Sequence, residues 1–452
     1  MEKSTAEKAL SLNLIKPLYG SIAEIGAGQE VARWFFKVGG AAGTIAKAMS
    51  AYDMVFSDDI YGREESGRYV VESRVRRMLD HEYSLLETRL SEKDNREKYF
   101  FAFANTVAAK SFKYSGDCHG WVGLRFQHSA DQKPSQVILH VRMLDQTNLR
   151  QQEALGTLGV NLIYACYHLH DNVEDFLKSL LDGHLQSSIE VNLCSFEGPV
   201  FENVDSVDAN LLLLKTKLTP AVLINNQRKP AHMGEEMYNK QVIIHRGEFN
   251  PPIKTDLDIL RSARDHYCGQ KVEGLCDPYL VSELYFNNTQ MDFNELKKRV
   301  HWLLRCQQNV MVTSFDRTFK LTEYVAQFTT NHINIVFRAT KILEILENEK
   351  LASLDRLSRI FNERTRMYIY PVNATGVRDN LKKDTKLKLF NLSNYKPSHL
   401  NSYLYHHLLT SGYIQELSQV NAELAPWNST EVSALEKSNP KLFQELIACK
   451  LD

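Results

Sequence analysis

The chain has 452 residues, 43% hydrophobic and 24% charged, a mixture typical of soluble globular proteins and too long for one ordinary core. Lysine plus arginine number 54 against 55 acids, a formal net charge of -1, so no bulk basic excess points to nucleic acid. No apolar run reaches the roughly 18 residues of a membrane-spanning helix, and no signal-peptide core is present. The expectation is a cytoplasmic protein that binds neither membrane nor nucleic acid.

Residues 1–130 read as a mainly helical region. "EVARWFFKV", "SRVRRMLDHEYSLLETRL" and "KYFFAFANTVAAKSF" place apolar residues at three- and four-residue spacings. Gly39, Gly40 and Gly43 interrupt "WFFKVGGAAGTIAKAMSAYDM". A Walker A loop needs a lysine directly after its last glycine, and Thr44 stands there instead. The dinucleotide fingerprint is also incomplete, because Gly26 and Gly28 are followed by Val31 at its third glycine. Two readings remain for the three glycines: an anion-binding turn opening "TIAKAMSAYDM", or a glycine-lined helix contact. Val31, Trp34, Phe35, Val38, Ala42, Ile45 and Met49 keep helical spacing through them, which favours the contact.

From 131 to 372 the texture changes. "QVILHVRML", "SIEVNLCSF", "AVLI", "QVIIHRG", "NVMVTSF", "HINIVF" and "RMYIYPV" read as strands, separated by stretches of helical spacing. This alternation predicts an α/β fold: a mostly parallel, Rossmann-like open sheet with helices on both faces. A helical insertion is expected at about 255–307. Residues 373–452 read as a linker, "NATGVRDNLKKDTKLKLFN", followed by terminal helices.

Ligands of open α/β sheets sit beyond the carboxyl ends of the strands. Polar residues just after the expected strands are Arg142, Asp145 and Asn148; Ser195 and Glu197; His245, Arg246 and Glu248; Ser314, Asp316 and Arg317; and Arg338. Arg142, Arg246 and Arg317, with Asn148, are the candidate phosphate and substrate contacts, since guanidinium grips phosphate at two points. Asp145 and Glu248 are candidates for a general base or a Mg2+ ligand. His119, in "SGDCHGWVGLRF", is a further candidate catalytic donor. The alternative for each is helix capping or ion pairing at a strand–helix junction. The seven cysteines include no C-x-x-C, and no residue set has convincing zinc spacing, so the thiols read as reduced and no zinc centre is expected; Mg2+ is the one candidate cofactor.

"FFKVGGAAGTIAKAMSAYDMVFSDDIYG", "CHGWVGLRFQ", "ILHVRMLDQTNLRQQEALGTLGVNLIYA" and "IIHRGEFNPP" together resemble a largely uncharacterised bacterial family of similar length. Its members go under two conflicting names, nicotinamide-mononucleotide adenylyltransferase and TonB-dependent receptor. The first name implies nucleotidyl transfer on an α/β sheet. The [HT]-x-G-H motif of that enzyme class is absent; "LDGH" has Leu181 at its first position, so no catalytic residue carries over. The second name implies a membrane barrel, for which the sequence shows no pattern. The resulting expectation is an enzyme acting on a nucleotide or other phosphorylated metabolite in pyridine-nucleotide metabolism, with a homo-oligomer as a candidate assembly. The rival is a non-catalytic ligand sensor or scaffold that binds a partner through its helical surface.

Overall fold

The computed structural model describes residues 3–90, 97–111, 116–130, 132–270, 277–347, 354–373, 389–399 and 401–450. They divide into two units, Met1–Val222 and Leu223–Asp452. In the first unit the elements are α1 (Thr5–Asn13), β1 (Leu18–Ile25), α2 (Glu30–Val38), β2 (Ile45–Met49), α3 (Met54–Tyr61) and α4 (Glu72–Leu90). They continue as β3 (Tyr99–Ala108), β4 (His119–Phe126), β5 (Ser135–Met143), α5 (Asn148–His168), α6 (Val173–Leu180), β6 (Ile189–Glu197) and α7 (Ser206–Lys215). The six-stranded sheet has the order β2-β1-β3-β4-β5-β6. β1 pairs parallel with β2 and β3, whereas β3 through β6 pair antiparallel in succession.

β3 corrects the helical reading of "KYFFAFANTVAAKSF". Phe100, Ala102 and Ala104 pack with Val75, Leu79 and Tyr83 of α4. Phe101 and Phe103 turn to the other face, toward Tyr167 and Gly159 of α5. Burial on both faces erases the polar alternation that marks a half-buried strand, so period alone misled.

The glycine stretch is corrected as well. α2 ends at Gly39, and Gly39 and Gly40 have φ of 84° and 78°, a region that residues with a Cβ rarely adopt. A Cβ on Gly39 or Gly43 would meet nothing within 4 Å, whereas Asn13 at the end of α1 donates to the Gly39 carbonyl at 2.7 Å and lies beside Gly40. Gly40 caps a three-residue 3-10 turn, Ala41–Gly43, and "IAKAM" after it is strand β2 rather than a helix. The close approach of two helices lies elsewhere. A Cβ on Gly156 of α5 would fall 2.6 Å from the Cβ of Glu30, and one on Gly159 would fall 2.3 Å from Val31, both on α2.

The division falls within β7 (Ala221–Ile224). The second unit contains α8 (Met233–Glu236), β8 (Val242–Arg246), α9 (Lys254–Gly269), β9 (Tyr279–Tyr285), α10 (Phe293–Arg305), β10 (Val310–Thr313) and α11 (Thr318–Val325). Next come β11 (Ile333–Arg338), α12 (Thr340–Glu347), α13 (Leu354–Ile360), β12 (Thr365–Tyr370), β13 (Val372–Asn373) and β14 (Leu389–Phe390). Last are α14 (Ser402–Thr410), β15 (Ile414–Glu416), α15 (Ser429–Ser438) and α16 (Pro440–Leu446).

The seven-stranded sheet has the order β15-β12-β11-β8-β9-β10-β7, and its pairs from β15 through β10 are all parallel. Ile259, Leu260 and Ala263 of α9 pack on Ile243, Val336 and Tyr368 of the sheet. The insertion expected at 255–307 holds α9 and α10 but also β9, a strand in the middle of the sheet. Ser282 and Glu283 interrupt its apolar run, yet both are buried. Most of the expected linker, 374–388, lies outside the described residues.

The architecture is thus α/β, with two sheets and crossover helices. Among the described residues no helix is long and apolar enough to cross a membrane. One cysteine reading is corrected: Cys268 is disulfide-bonded. Residue spacing alone does not report such a pairing. Cys118, Cys166, Cys194, Cys306 and Cys449 are free thiols.

Candidate functional site

In the second unit, adjacent parallel strands β8 and β11 end at Arg246 and Arg338, where a cavity of about 510 Å³ opens. The strand ends give it His245, Arg246, Glu248 and Arg338, α9 adds Asp256, and α12 adds Thr340, Lys341 and Glu344. The start of α15 closes another side with Asn428, Ser429, Thr430 and Glu431. That helix start is built by a capping box: Asn428 Oδ1 accepts from the Glu431 N–H at 2.9 Å, and Glu431 Oε2 accepts from the Asn428 N–H at 3.2 Å. The size is that of a small-molecule site.

The cations around the cavity differ in how firmly they are engaged. Arg246 donates to both oxygens of Glu283, at 2.5 and 2.9 Å, and to the Phe315 carbonyl at 2.8 Å. Arg338 donates to the Trp427 carbonyl at 2.9 Å, and its other amino group stands 3.8 Å from Asp256. Lys341 is half-exposed and pairs with Glu344 one helical turn on. Glu248 is exposed, and its backbone carbonyl accepts from Arg299 at 3.0 Å.

Arg317 lies on a smaller cavity of about 100 Å³, with Asp316, Thr318, Phe319 and Ile345 around it. Lys341 lines both cavities. Arg317 itself flanks α11 as its N-terminal cap residue and contacts Asp316 at 3.4 Å.

His119, Arg142, Asp145 and Asn148 belong to the first unit. Arg142 and His119 are directly paired in register between β5 and β4. Arg142 donates to Glu190 at 3.0 Å and to Asp117 at 3.1 Å. His119 Nδ1 is 3.1 Å from His140 Nε2, whose own Nδ1 is 2.6 Å from Asn192. Burial pulls the His119 imidazole below its ordinary pKa, with Arg142 acting in the same direction and Asp117 against it. The Asp145 carbonyl accepts from Gln151 at 2.8 Å, and Asn148 is an exposed residue at the start of α5. The seven site residues therefore fall at the ends of two different sheets. Arg246 and Glu248 share a cavity, and Arg317 is next to it.

Other polar residues emerge only from the fold. Asp256, Lys341 and the Asn428–Glu431 turn reach the large cavity from positions far apart in sequence; the N-S-T-E capping pattern was the one local signal. In the first unit, Glu24 at the end of β1 is 1% exposed and accepts from the Val31 and Ala32 N–H groups of α2. Burial pushes its carboxyl up to about 7, against those two hydrogen bonds.

No family model matches the chain, and no curated protein matches it. Solved structures with some likeness include competence/damage inducible protein CihA from Agrobacterium tumefaciens, 17% identical, covering 36% of this chain and 97% of that one at a TM-score of 0.27. A competence or damage-inducible protein from Enterobacter asburiae is 13% identical, covering 36% and 98%, with a TM-score of 0.27. A CinA superfamily protein from Enterobacter cloacae is 14% identical, covering 36% and 92%, with a TM-score of 0.26. Likeness this slight carries no functional weight, and the site's own chemistry has to supply the reading.

Proposed function

We propose that the cavity at the ends of β8 and β11 binds a nucleotide or other phosphorylated metabolite, and that the protein is an enzyme acting on it by nucleotidyl transfer in pyridine-nucleotide metabolism. The observation that carries this reading is the convergence of Arg338 and Lys341 with the hydroxyls of Thr340, Ser429 and Thr430 around one cavity at parallel strand ends. Guanidinium, ammonium and hydroxyl groups at helix starts are the donors that phosphate oxygens accept from. Arg338 takes the role of phosphate anchor, because Arg246 is already held by Glu283. Glu248, Glu344 and Glu431 are the oxygen donors available to a magnesium ion on the same rim.

A second reading, a non-catalytic ligand sensor, draws support from the pairing of Arg142 with Glu190 and Asp117 and of Arg246 with Glu283. It predicts ligand binding without turnover.

A thermal-shift screen of nucleotides and sugar phosphates, each with and without magnesium, tests the first reading. A ligand that binds only the folded state raises Tm by mass action, by the equivalent of about 2.7 kcal/mol at a hundred times its Kd. Unchanged Tm with every nucleotide at millimolar concentration removes the proposal. A shift without any change in the nucleotide over hours selects the sensor.

A further inference from the structure

One residue that lines the large cavity carries a buried polar atom that the protein's own packing leaves unsatisfied. His245 lines the cavity at 3% exposure, and its Nε2 lies 3.2 Å from Asp256 Oδ1. Asp256 is itself fixed. Its Oδ2 accepts from the Ile253 N–H at 3.0 Å, and the Arg338 guanidinium stands 3.8 Å from Oδ1. The Phe249 ring meets the imidazole edge to face, with centroids 5.4 Å apart. A carboxylate anion only accepts, so beside it a neutral imidazole carries its proton on Nε2 and its lone pair on Nδ1. Nδ1 has no hydrogen-bond partner among the described residues. A buried acceptor without a donor is costly, and a ligand that supplies the donor relieves that cost.

We infer that His245 is the proton acceptor of this cavity, acting on a hydroxyl or water next to a phosphorylated substrate held by Arg338 and Lys341. The inference rests on the reading of the cavity as a phosphorylated-ligand site. In the step, the Nδ1 lone pair takes the O–H proton, and the electron pair left on oxygen forms the new bond to phosphorus. The leaving group departs with its bonding pair and then takes the proton from Nδ1, so the imidazole ends neutral. Asp256 holds the ring's tautomer and orientation and stabilises the imidazolium that exists between the two transfers.

The full chain labelled with 15N-histidine provides the test, with long-range 1H–15N spectra assigned by His245→Gln. AMP and nicotinamide mononucleotide are the probes, and Tm is measured in parallel. The free protein should show His245 protonated at Nε2, and Asp256→Asn, which keeps the side-chain shape, should disturb that preference. A probe that raises Tm should displace the Nδ1 resonance, and Arg338→Ala should move both effects to about tenfold or more higher probe concentration. Turnover of a transferred nucleotide should fall about 10²–10⁴-fold in His245→Gln with KM little changed. A free protein protonated at Nδ1, an Nδ1 resonance indifferent to a probe that raises Tm, or wild-type turnover in His245→Gln overturns the inference and leaves the binding site standing. No Tm rise with either probe strikes instead at the cavity reading beneath it.

Discussion

Arg246 and Glu283 are clamped together at two points, Nε to Oε2 at 2.5 Å and Nη2 to Oε1 at 2.9 Å, across neighbouring strands β8 and β9. Glu283 is fully buried and also accepts from the Thr313 hydroxyl at 2.5 Å. Removing the guanidinium strands a charge in the sheet interior. Arg246→Ala should therefore lose about 3–5 kcal/mol of stability, whereas a paired replacement of both residues by apolar ones should lose much less. Urea unfolding of the three proteins decides it; a single variant within 0.5 kcal/mol of wild type would contradict the clamp.

Arg338 should behave differently. It gives one hydrogen bond to the Trp427 carbonyl and stands 3.8 Å from Asp256, which keeps its bond from the Ile253 N–H, so Arg338→Ala should cost about 1–3 kcal/mol of stability, less than Arg246→Ala. Nucleotide affinity should also fall, about tenfold or more, for loss of a charge-assisted contact to phosphate. Calorimetric titration of any nucleotide that raises Tm measures this. Unchanged Kd would exclude Arg338 as the anchor.

The glycines make a contrasting pair of tests. Gly156→Ala or Gly159→Ala should destabilise by about 1–3 kcal/mol, because each added methyl group collides with α2. Gly43→Ala points its methyl into open space and should be neutral or gain about 0.4–1 kcal/mol from a less flexible unfolded chain. Melting curves should rank the variants in that order, and equal loss at all three sites would refute the α2–α5 contact.

Glu24 should set a pH dependence. Its carboxyl titrates at about 7 in the folded protein against about 4.5 ordinarily, a difference of roughly 3 kcal/mol. Between those two values the folded state keeps a proton that the unfolded state has released. Stability from this group is therefore greatest below about pH 4.5 and falls until about pH 7. Relative to wild type, Glu24→Gln should be about 2–3 kcal/mol better off at pH 8 than at pH 5. Urea midpoints at the two pH values check this, and a constant difference would rule it out.

The alternation of strands and helices after residue 135 was legible because the strands are short apolar runs between amphipathic helices, but β5 and β6, expected to be parallel, pair antiparallel in the first sheet. β1, β2 and β3 were not legible. β3 is buried on both faces and lacks alternation, and β2 follows glycines whose role is set by φ rather than by packing. β9 was hidden by Glu283, whose burial depends on Arg246 from another strand. The strand-end rule reached Arg246, Glu248, His245 and Arg338 of the large cavity. Asp256, Lys341 and Asn428–Glu431 escaped it, since nothing local reveals that α9, α12 and α15 begin at the same place.

Lys341 stands on the rims of both cavities, 510 and 100 Å³, with one ammonium to offer on a flexible stem. An anion that draws this ammonium to one side withdraws it from the other. If anions bind on both sides, each should weaken the other by the same factor, because linkage between two binding equilibria is reciprocal.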